Sequence, residues 1–419
     1  MASTSPTEQA AAVLESCLKG EPPPRELWRG LVAAAAGEGE PAVEASEALF
    51  QGVVEPLADR FDPPLCRRYA ELFSEAIAYC VSGWEAADLL ERYGSVRRGR
   101  WYRADRGAPE AVAVLSRVTL GADVAVTSIV LDAVKKRFPN ARILFAGPRK
   151  CWELFAADRR IEHLDAPYLR RGALKERLDA GLRLRPALES ENLLVMDPDS
   201  RLSQLGLLPV CDEERYFFFE SRCYGGESDD SLTQLTQRWC AEVLGVVDAV
   251  PFIAPVADAG AREAEGAVTV SLGVGDNPAK RLPDPFEEEL LKGLAGLGLP
   301  VVIDKGAGGE EAERVERAVA AAGGANGRIK VWEGAFAPFA ARIAASRLYV
   351  GYDSAGQHVA AAARTPLISV FAGYPCERFV HRWRPTTTAP YRVLAVTGAD
   401  CKVILDRVLE TAHQMLGIC

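Results

Sequence analysis

Between Arg347 and Gly373 the chain reads RLYVGYDSAGQHVAAAARTPLISVFAG, and Asp353 to His358 place an acid, a hydroxyl, a glycine, an amide and an imidazole within one turn. The flanking residues decide what such a cluster can do. Leu348 to Tyr352 are extended formers, Ser354 can cap, Gly356 to Ala363 suits a helix, Thr365-Pro366 stops it, and Leu367 to Phe371 resumes a strand. A turn of this kind leaves the first backbone N–H groups of the helix without intrahelical partners, at the positive end of its dipole. That is an anion site suited to a diphosphate. On residues alone the hexapeptide also reads as an α/β turn with a capping serine. His358 likewise has two readings, reaching phosphate or sugar from the helix, or hydrogen-bonded inside the core.

Two more stretches carry groups capable of chemistry. Asp123 follows the apolar run Val112 to Val118 and the turn Leu120-Gly121-Ala122. An acid in the loop at the C-terminal end of a first strand faces the crevice where parallel sheets bind ligands, and can take a proton from an attacking hydroxyl. The same position suits a helix N-cap. Further on, Gly273-Val274-Gly275-Asp276-Asn277-Pro278-Ala279-Lys280-Arg281 follows the strand Ala267 to Leu272. A Gly-x-Gly says little by itself, and Lys280 with Arg281 reads on its own as a solvated pair.

Taken together these stretches resemble the heptosyltransferases, glycosyltransferase family nine. Asp353-Ser354-Ala355-Gly356-Gln357-His358 is similar to the family's D-[ST]-G-x-x-H turn, which binds the donor diphosphate. Asn277-Pro278-Ala279-Lys280-Arg281-Leu282-Pro283 is similar to its NPxKRWP segment, whose lysine contacts donor phosphate. TLGADVAVTSIVLDAVKKRFPNARILFAG resembles the start of its first domain, where a Gly-Asp step supplies the catalytic base. The chain departs from the pattern at Ala355, where the family has glycine, at Leu282, where it has tryptophan, and at Ala122, inserted between Gly121 and Asp123. The insertion bears on where the carboxylate points.

The resemblance implies a GT-B arrangement, two Rossmann-like domains facing a cleft, and inverting transfer of a sugar from a nucleotide-diphosphate donor to a hydroxyl of a glycan, lipid-linked or protein acceptor. Asp123 is then the base. Gly275, Asn277, Lys280, Arg281, Asp353, Ser354, Ala355, Gly356, Gln357 and His358 are then donor-binding. Glu310 or Glu311 suits the ribose hydroxyls, although a glutamate in a first helical turn also satisfies the dipole. The strand Arg328 to Trp332 ends at Glu333-Gly334, where a nucleobase can rest, which adds Trp332. No metal and no cofactor beyond the co-substrate is implied, because cations and a helix dipole can stabilise the leaving diphosphate. Asp197 and Asp199 spell D-x-D, but Pro198 fixes a turn between them. Asp199, Arg201 and Gln204 read instead as hydrogen-bonding groups on the acceptor side, or as a structural loop. Arg149, Lys150, Arg170 and Arg171 have a similar choice between an anionic acceptor and ordinary surface charge. Rival readings are a non-catalytic nucleotide-sugar-binding or scaffold protein, and another enzyme on the same fold such as a sugar-nucleotide epimerase.

These groups need a large framework, and 419 residues with 48% hydrophobic and 26% charged content supply one for two domains and an accessory region. The net charge of -9 argues against a nucleic-acid partner. No apolar run reaches the length of a membrane span and the N-terminus lacks a signal-peptide pattern, so the expected location is the cytoplasm. Ten cysteines without a CxxC pair, alongside four histidines, read as reduced and mostly buried thiols.

Three regions follow. Residues 1–105 read as a helical extension, with Thr7 to Leu18, Arg25 to Ala36, Ala42 to Leu57 and Pro64 to Cys80 carrying apolar residues at helical spacing. Arg92, Arg97, Arg98, Arg100, Arg103 and Arg106 around Trp101 and Tyr102 suit a solvated linker, or a peripheral contact with a membrane or anionic acceptor. Residues 106–250 alternate strands and helices as an acceptor domain, and 251–419 do so as a nucleotide-sugar-binding domain.

Overall fold

The computed structural model of the chain describes residues 4–102, 107–275, 277–306, 308–323, 327–398 and 400–418. Arg103, Arg106, Asp276, Ala307 and Ala399 of the sequence reading, and the boundary at 105/106, lie outside them.

The chain opens with helices α1 (Pro6–Leu18), α2 (Arg25–Ala35), α3 (Glu40–Leu49), α4 (Glu55–Ala58), α5 (Pro63–Cys80) and α6 (Ala86–Val96). Local chemistry sets their starts. Ser5 and Glu8 form a reciprocal capping box on α1, and Asp62 accepts from Leu65 N ahead of the two prolines of α5. A π-helical stretch, Phe50–Val54, joins α3 to α4, so 42–57 reads as one helix in sequence.

The first sheet holds β1 (Ala111–Leu115), β2 (Arg142–Gly147), β3 (Ile161–Asp165), β4 (Leu193–Asp197) and β5 (Tyr216–Phe218) in the order β3-β2-β1-β4-β5, all parallel. Between them run α7 (Leu120–Ala122), which continues through a π turn into α8 (Ser128–Arg137), then α9 (Arg149–Trp152) and α10 (Leu174–Leu188), with α11 (Leu232–Leu244) after β5. The second sheet holds β6 (Val268–Ser271), β7 (Val301–Asp304), β8 (Ile329–Trp332), β9 (Leu348–Tyr352), β10 (Leu367–Phe371) and β11 (Tyr391–Ala395), in the order β11-β10-β9-β6-β7-β8, also parallel. Its helices are α12 (Phe286–Gly296), α13 (Gly309–Ala321), α14 (Phe336–Ala345), α15 (Ala355–Ala363), α16 (Glu377–Trp383) and α17 (Cys401–Leu416). The fold is thus α/β with two doubly wound parallel sheets and a helical N-terminal region.

Side chains alternate across a strand, so a buried parallel strand needs apolar cover on both faces. In β1, Val112 and Val114 face α8 and α11, whereas Ala111, Ala113 and Leu115 join a core with α10 and the N-terminal helices. Leu57, Tyr69, Leu72, Phe73 and Leu89 are buried in that second core beside Val195, Tyr216 and Phe218. The N-terminal helices therefore form one covering layer of the first sheet. Two of the arginines of this region serve this packing: Arg92, within α6, donates to Gly206 O and lies over the Tyr216 ring, and Arg97, just after α6, pairs with Glu220 at 2.7 Å. These two are ties to the first sheet rather than parts of a solvated linker, whereas Arg98 is exposed.

Because the helical layer and the sheet share one core, they should unfold together. Phe73→Ala removes a fully buried ring and is expected to cost about 3–5 kcal/mol. In chemical denaturation, far-UV circular dichroism and tryptophan fluorescence should give one coincident transition, moved to lower denaturant in the variant. A separate early transition of the helices would contradict a shared core.

Candidate functional site

Each sheet reverses its strand order once, between β1 and β4 in the first and between β6 and β9 in the second, and parallel sheets bind ligands outside the strand ends at such points. A cavity of about 540 Å³ opens there, between the two halves. On one wall it is lined by residues 119–122 after β1, Lys150, Arg170 and Asp59 of the helical layer. On the other it is lined by the turns after β6, β7 and β9, with Lys280, Phe379 and Trp383. The halves touch beside it. A side chain at Gly121 would meet Ala355 Cα and His358 Cδ2 at 3.1 Å, tighter than an ordinary contact, so the helical run from α7 packs directly on the start of α15.

The turn after β9 leads from Asp353 into the start of α15 at the cavity. Ser354 has extended backbone and makes no capping hydrogen bond, while Ser354 and Ala355 line the cavity at the start of α15. Asp353 takes Lys280 Nζ on Oδ2 at 2.6 Å and Gln357 Nε2 on Oδ1 at 2.6 Å, and Ser369 Oγ donates to Gln357 Oε1 at 2.7 Å. Lys280 is thereby held at the cavity, over the Phe379 ring. Gln357 and Gly356 are buried and support the turn from behind. His358 lines the cavity with its ring tilted against Trp383, and burial pushes its pKa down to about 4 despite Asp353, so the imidazole is neutral near pH 7.

The turn after β7 holds a second acidic corner. Glu311 lines the cavity; Glu310, one residue along the helix, does not. Side chains added at Gly273 or Gly306 would collide with the Glu311 carboxyl group, so two glycine turns make room for it. Asp304 receives Gly306 N at 3.2 Å, and burial, reinforced by Glu311, raises its pKa to about 6. Gly275 and Gly334 also line the cavity, but Asn277, Arg281 and Trp332 do not. Asn277 caps its own 3₁₀ turn through Ala279 N, Arg281 pairs with Glu287, and the Trp332 ring is covered by Arg342 at 3.7 Å.

The first half departs from expectation. Asp123 is fully buried and does not line the cavity. Ser116 Oγ donates to its Oδ2, and Arg117 N and Thr127 Oγ1 donate to its Oδ1, each at 2.7 Å. Burial raises its pKa, and these hydrogen bonds oppose the rise. The helix begins at Leu120, one turn earlier than an N-cap at Asp123 requires, so the carboxylate turns back under the β1 loop and latches it. Asp199 is likewise withdrawn from the cavity. It has φ 70°, accepts from Ser221 Oγ and Arg222 Nη1, and lies 3.8 Å from Arg117, whose pKa burial lowers to about 10. Arg201 and Gln204 do not line the cavity; Gln204 is buried with φ 50° and reaches Arg177 O. Asp197 accepts from Tyr216 OH and Ser200 N inside the core, and burial raises its pKa to about 6. Of the four arginine-segment cations, Lys150 and Arg170 reach the cavity, whereas Arg149 pairs with Glu153 and Arg171 with Glu40.

Sequence reasoning missed Asp59 and Asp304, and it gave no site role to Phe379 and Trp383, although the segment Tyr374 to Pro385 that carries them is similar to an RWxP segment of some family members. Asp304 was accessible as the acid that ends β7. Asp59 carries no local signal, because it reaches the site from the helical layer.

A raised carboxyl pKa means that the folded state holds its proton more tightly than the unfolded one, so stability falls as pH rises from about 4 to about 6. Asp304→Asn should therefore be more stable than the parent above pH 6, by on the order of 1–2 kcal/mol after allowance for solvent screening, and equal to it below about pH 4. Urea denaturation at the two pH values checks this; an equal difference at both would contradict it.

Residues 273–394 match the family model of glycosyltransferase family 9 (heptosyltransferase). No curated protein matches the chain. Among solved structures it is similar to the glycosyl transferase family 9 from Veillonella parvula DSM 2008, at 16% identity over 74% of this chain and 97% of that one, with a TM-score of 0.54. For the E. coli ADP-heptose lps heptosyltransferase II the values are 19%, 73%, 98% and 0.52. For E. coli heptosyltransferase WaaC with ADP-2-deoxy-2-fluoro heptose they are 15%, 73%, 99% and 0.53. At these identities the likeness is one of fold. The chain is thus heptosyltransferase-like, by a glycosyltransferase family 9 match in its second half and a GT-B-like fold throughout both sheets.

Proposed function

We propose that the protein is a glycosyltransferase that moves a sugar from a nucleotide-diphosphate donor to a hydroxyl acceptor, by a single displacement with inversion. The observation that carries this reading is Lys280, fixed by Asp353 at the mouth of α15 within the family-matched segment. The leaving group of such a transfer gains negative charge as its bond to the anomeric carbon breaks. Lys280 and the first-turn amides of α15 are placed to stabilise that charge, in a cavity that Phe379 and Trp383 help to line. Glu311 and Asp304 suit the ribose hydroxyls, since carboxylates accept two hydrogen bonds from a diol. Lys150 and Arg170 on the facing wall favour an acceptor with anionic groups, whether glycan, lipid-linked or protein. This reading needs neither metal nor cofactor, because the cation and the helix dipole supply the positive charge. Among the described residues no helix is long and apolar enough to cross a membrane, and we place the reaction in the cytoplasm.

The sequestration of Asp123 favours a second reading, a nucleotide-sugar-binding protein without turnover.

Donor binding tests the first step of both. Purified protein is heated with ADP-, GDP-, UDP- and dTDP-sugars. One nucleotide class is expected to raise the melting temperature, by a stabilisation of about 2.7 kcal/mol at a hundredfold excess over Kd. Lys280→Ala should weaken that Kd by about 10–100-fold, the range for a hydrogen bond to a charged group. No shift with any donor at millimolar concentration would overturn both readings.

A further inference from the structure

We propose that Asp59, at the corner between α4 and α5, is the catalytic base that takes the proton of the acceptor hydroxyl in place of Asp123; this rests on the transferase reading above. An inverting displacement needs a proton acceptor beside the attacking oxygen. Asp123 is fully buried with both oxygens engaged, so no acceptor can reach it. Among the described residues, the carboxylates that line the cavity are Asp59, Asp304, Glu311 and Asp353. Asp353 has one oxygen on Lys280 and the other on Gln357. Asp304 and Glu311 occupy the β7 corner of the donor wall. Asp59 alone of the four comes from the facing wall.

Its setting fits the task. The Asp59 side chain is 37% exposed and meets Arg222 Nη2 through Oδ1 at 3.5 Å, while Asp199 holds Arg222 from behind. The carboxylate is aimed by one cation and still open to the cavity. The corner that carries it is clamped to the other half. Phe61 adopts φ 53°, and its buried ring packs 6.3 Å from Phe379 and 6.4 Å from Trp383, both cavity residues. Arg378 Nη1 donates to Phe61 O at 2.9 Å. A left-handed conformation at a bulky residue is costly and persists where surrounding contacts enforce it. Asp59 is thus fixed between the acceptor wall and α16 of the donor half.

In the step itself the acceptor O–H bond breaks and its proton passes to an Asp59 oxygen. The acceptor oxygen bonds to the anomeric carbon as the carbon–oxygen bond to the diphosphate breaks, and that bond's electron pair leaves on the nucleoside diphosphate. Asp59 then returns its proton to solvent. The helical layer becomes part of the active site.

The test uses the full chain, the nucleotide sugar that gives a thermal shift, and release of nucleoside diphosphate with water as acceptor. Asp59→Asn is expected to lower kcat by about 10²–10⁴-fold with the donor-induced thermal shift retained, and Asp59→Glu to recover part of the loss. Turnover of Asp59→Asn within a few-fold of the parent would overturn the proposal while leaving the transferase reading intact. So would a donor shift lost in Asp59→Asn, or an Asp123→Asn variant that is folded and slower than Asp59→Asn. A parent chain that binds donor but releases no nucleoside diphosphate would refute Asp59 as a base and return the site to binding without turnover. Absence of both binding and release would remove the transferase reading itself.

Discussion

The ion pair of Lys280 with Asp353 ties together the parts of the second half that make the cavity. It joins the turn after β6 to the turn after β9, and through Gln357 and Ser369 it continues into α15 and β10. With side chains only 19% and 7% exposed, removal of either partner leaves a charge in poor solvent, at a cost of roughly 3–5 kcal/mol. The pair also sets the electrostatics of the turn. The aspartate offsets much of the lysine's charge at long range, while the remaining N–H groups of Lys280 and the α15 N-terminus still face an anion in the cavity. A lysine without its aspartate would be a flexible point charge; held at 2.6 Å it becomes a directed donor.

A second buried ionic system performs the matching task in the first half. Arg117, Asp199 and Arg222 are nearly inaccessible, and Arg222 extends the network to Asp59. Such groups add little net stability over an apolar packing, but they fix geometry, because each guanidinium accepts few arrangements. Arg117 also donates to Pro198 O and Ser221 Oγ, so the loops after β1, β4 and β5 are fastened at one point. The helical layer reaches this point from outside the sheet and then continues, through Phe61, to α16 of the second half. Its packing is therefore continuous with both walls of the cleft.

Legibility in the sequence followed the range of the forces involved. The strand, turn and helix around Asp353 were readable almost to the residue, because alternation, a serine and Thr365-Pro366 all act locally: β9 and β10 have the expected bounds and α15 starts one residue early. β5 escaped notice because three residues carry too little pattern, and α6 because Arg92 and the arginines that follow it read as solvent-facing. Side-chain direction was less accessible. Glu310 and Glu311 are equivalent as first-turn acids, yet successive helical residues point about 100° apart, and only Glu311 meets the cavity. Asp123, Asp199 and Gln204 have the polarity of ligand-binding groups, but the left-handed turns at Asp199 and Gln204 and the π turn at Asp123 direct all three to internal partners. Asp59 depends on contacts with residues more distant than any sequence window, Arg222 and the α16 region.

Net charge illustrates the same separation of scales. A chain of -9 is repelled on average by polyanions, which disfavours nucleic acid. In the cavity, placement matters more than the sum. The α15 N-terminus opens into it, the helical run that begins at Leu120 starts on its opposite wall, and Lys150, Arg170 and Lys280 stand around it together with Asp59, Asp304, Glu311 and Asp353. Charges farther away than about 8–10 Å are screened by salt, whereas the groups that line the cavity act on its contents at shorter range. What an entering anion meets is therefore set by where it sits, with the α15 backbone amides at one turn and the carboxylates of the β7 corner at another, and not by the net charge of the surface.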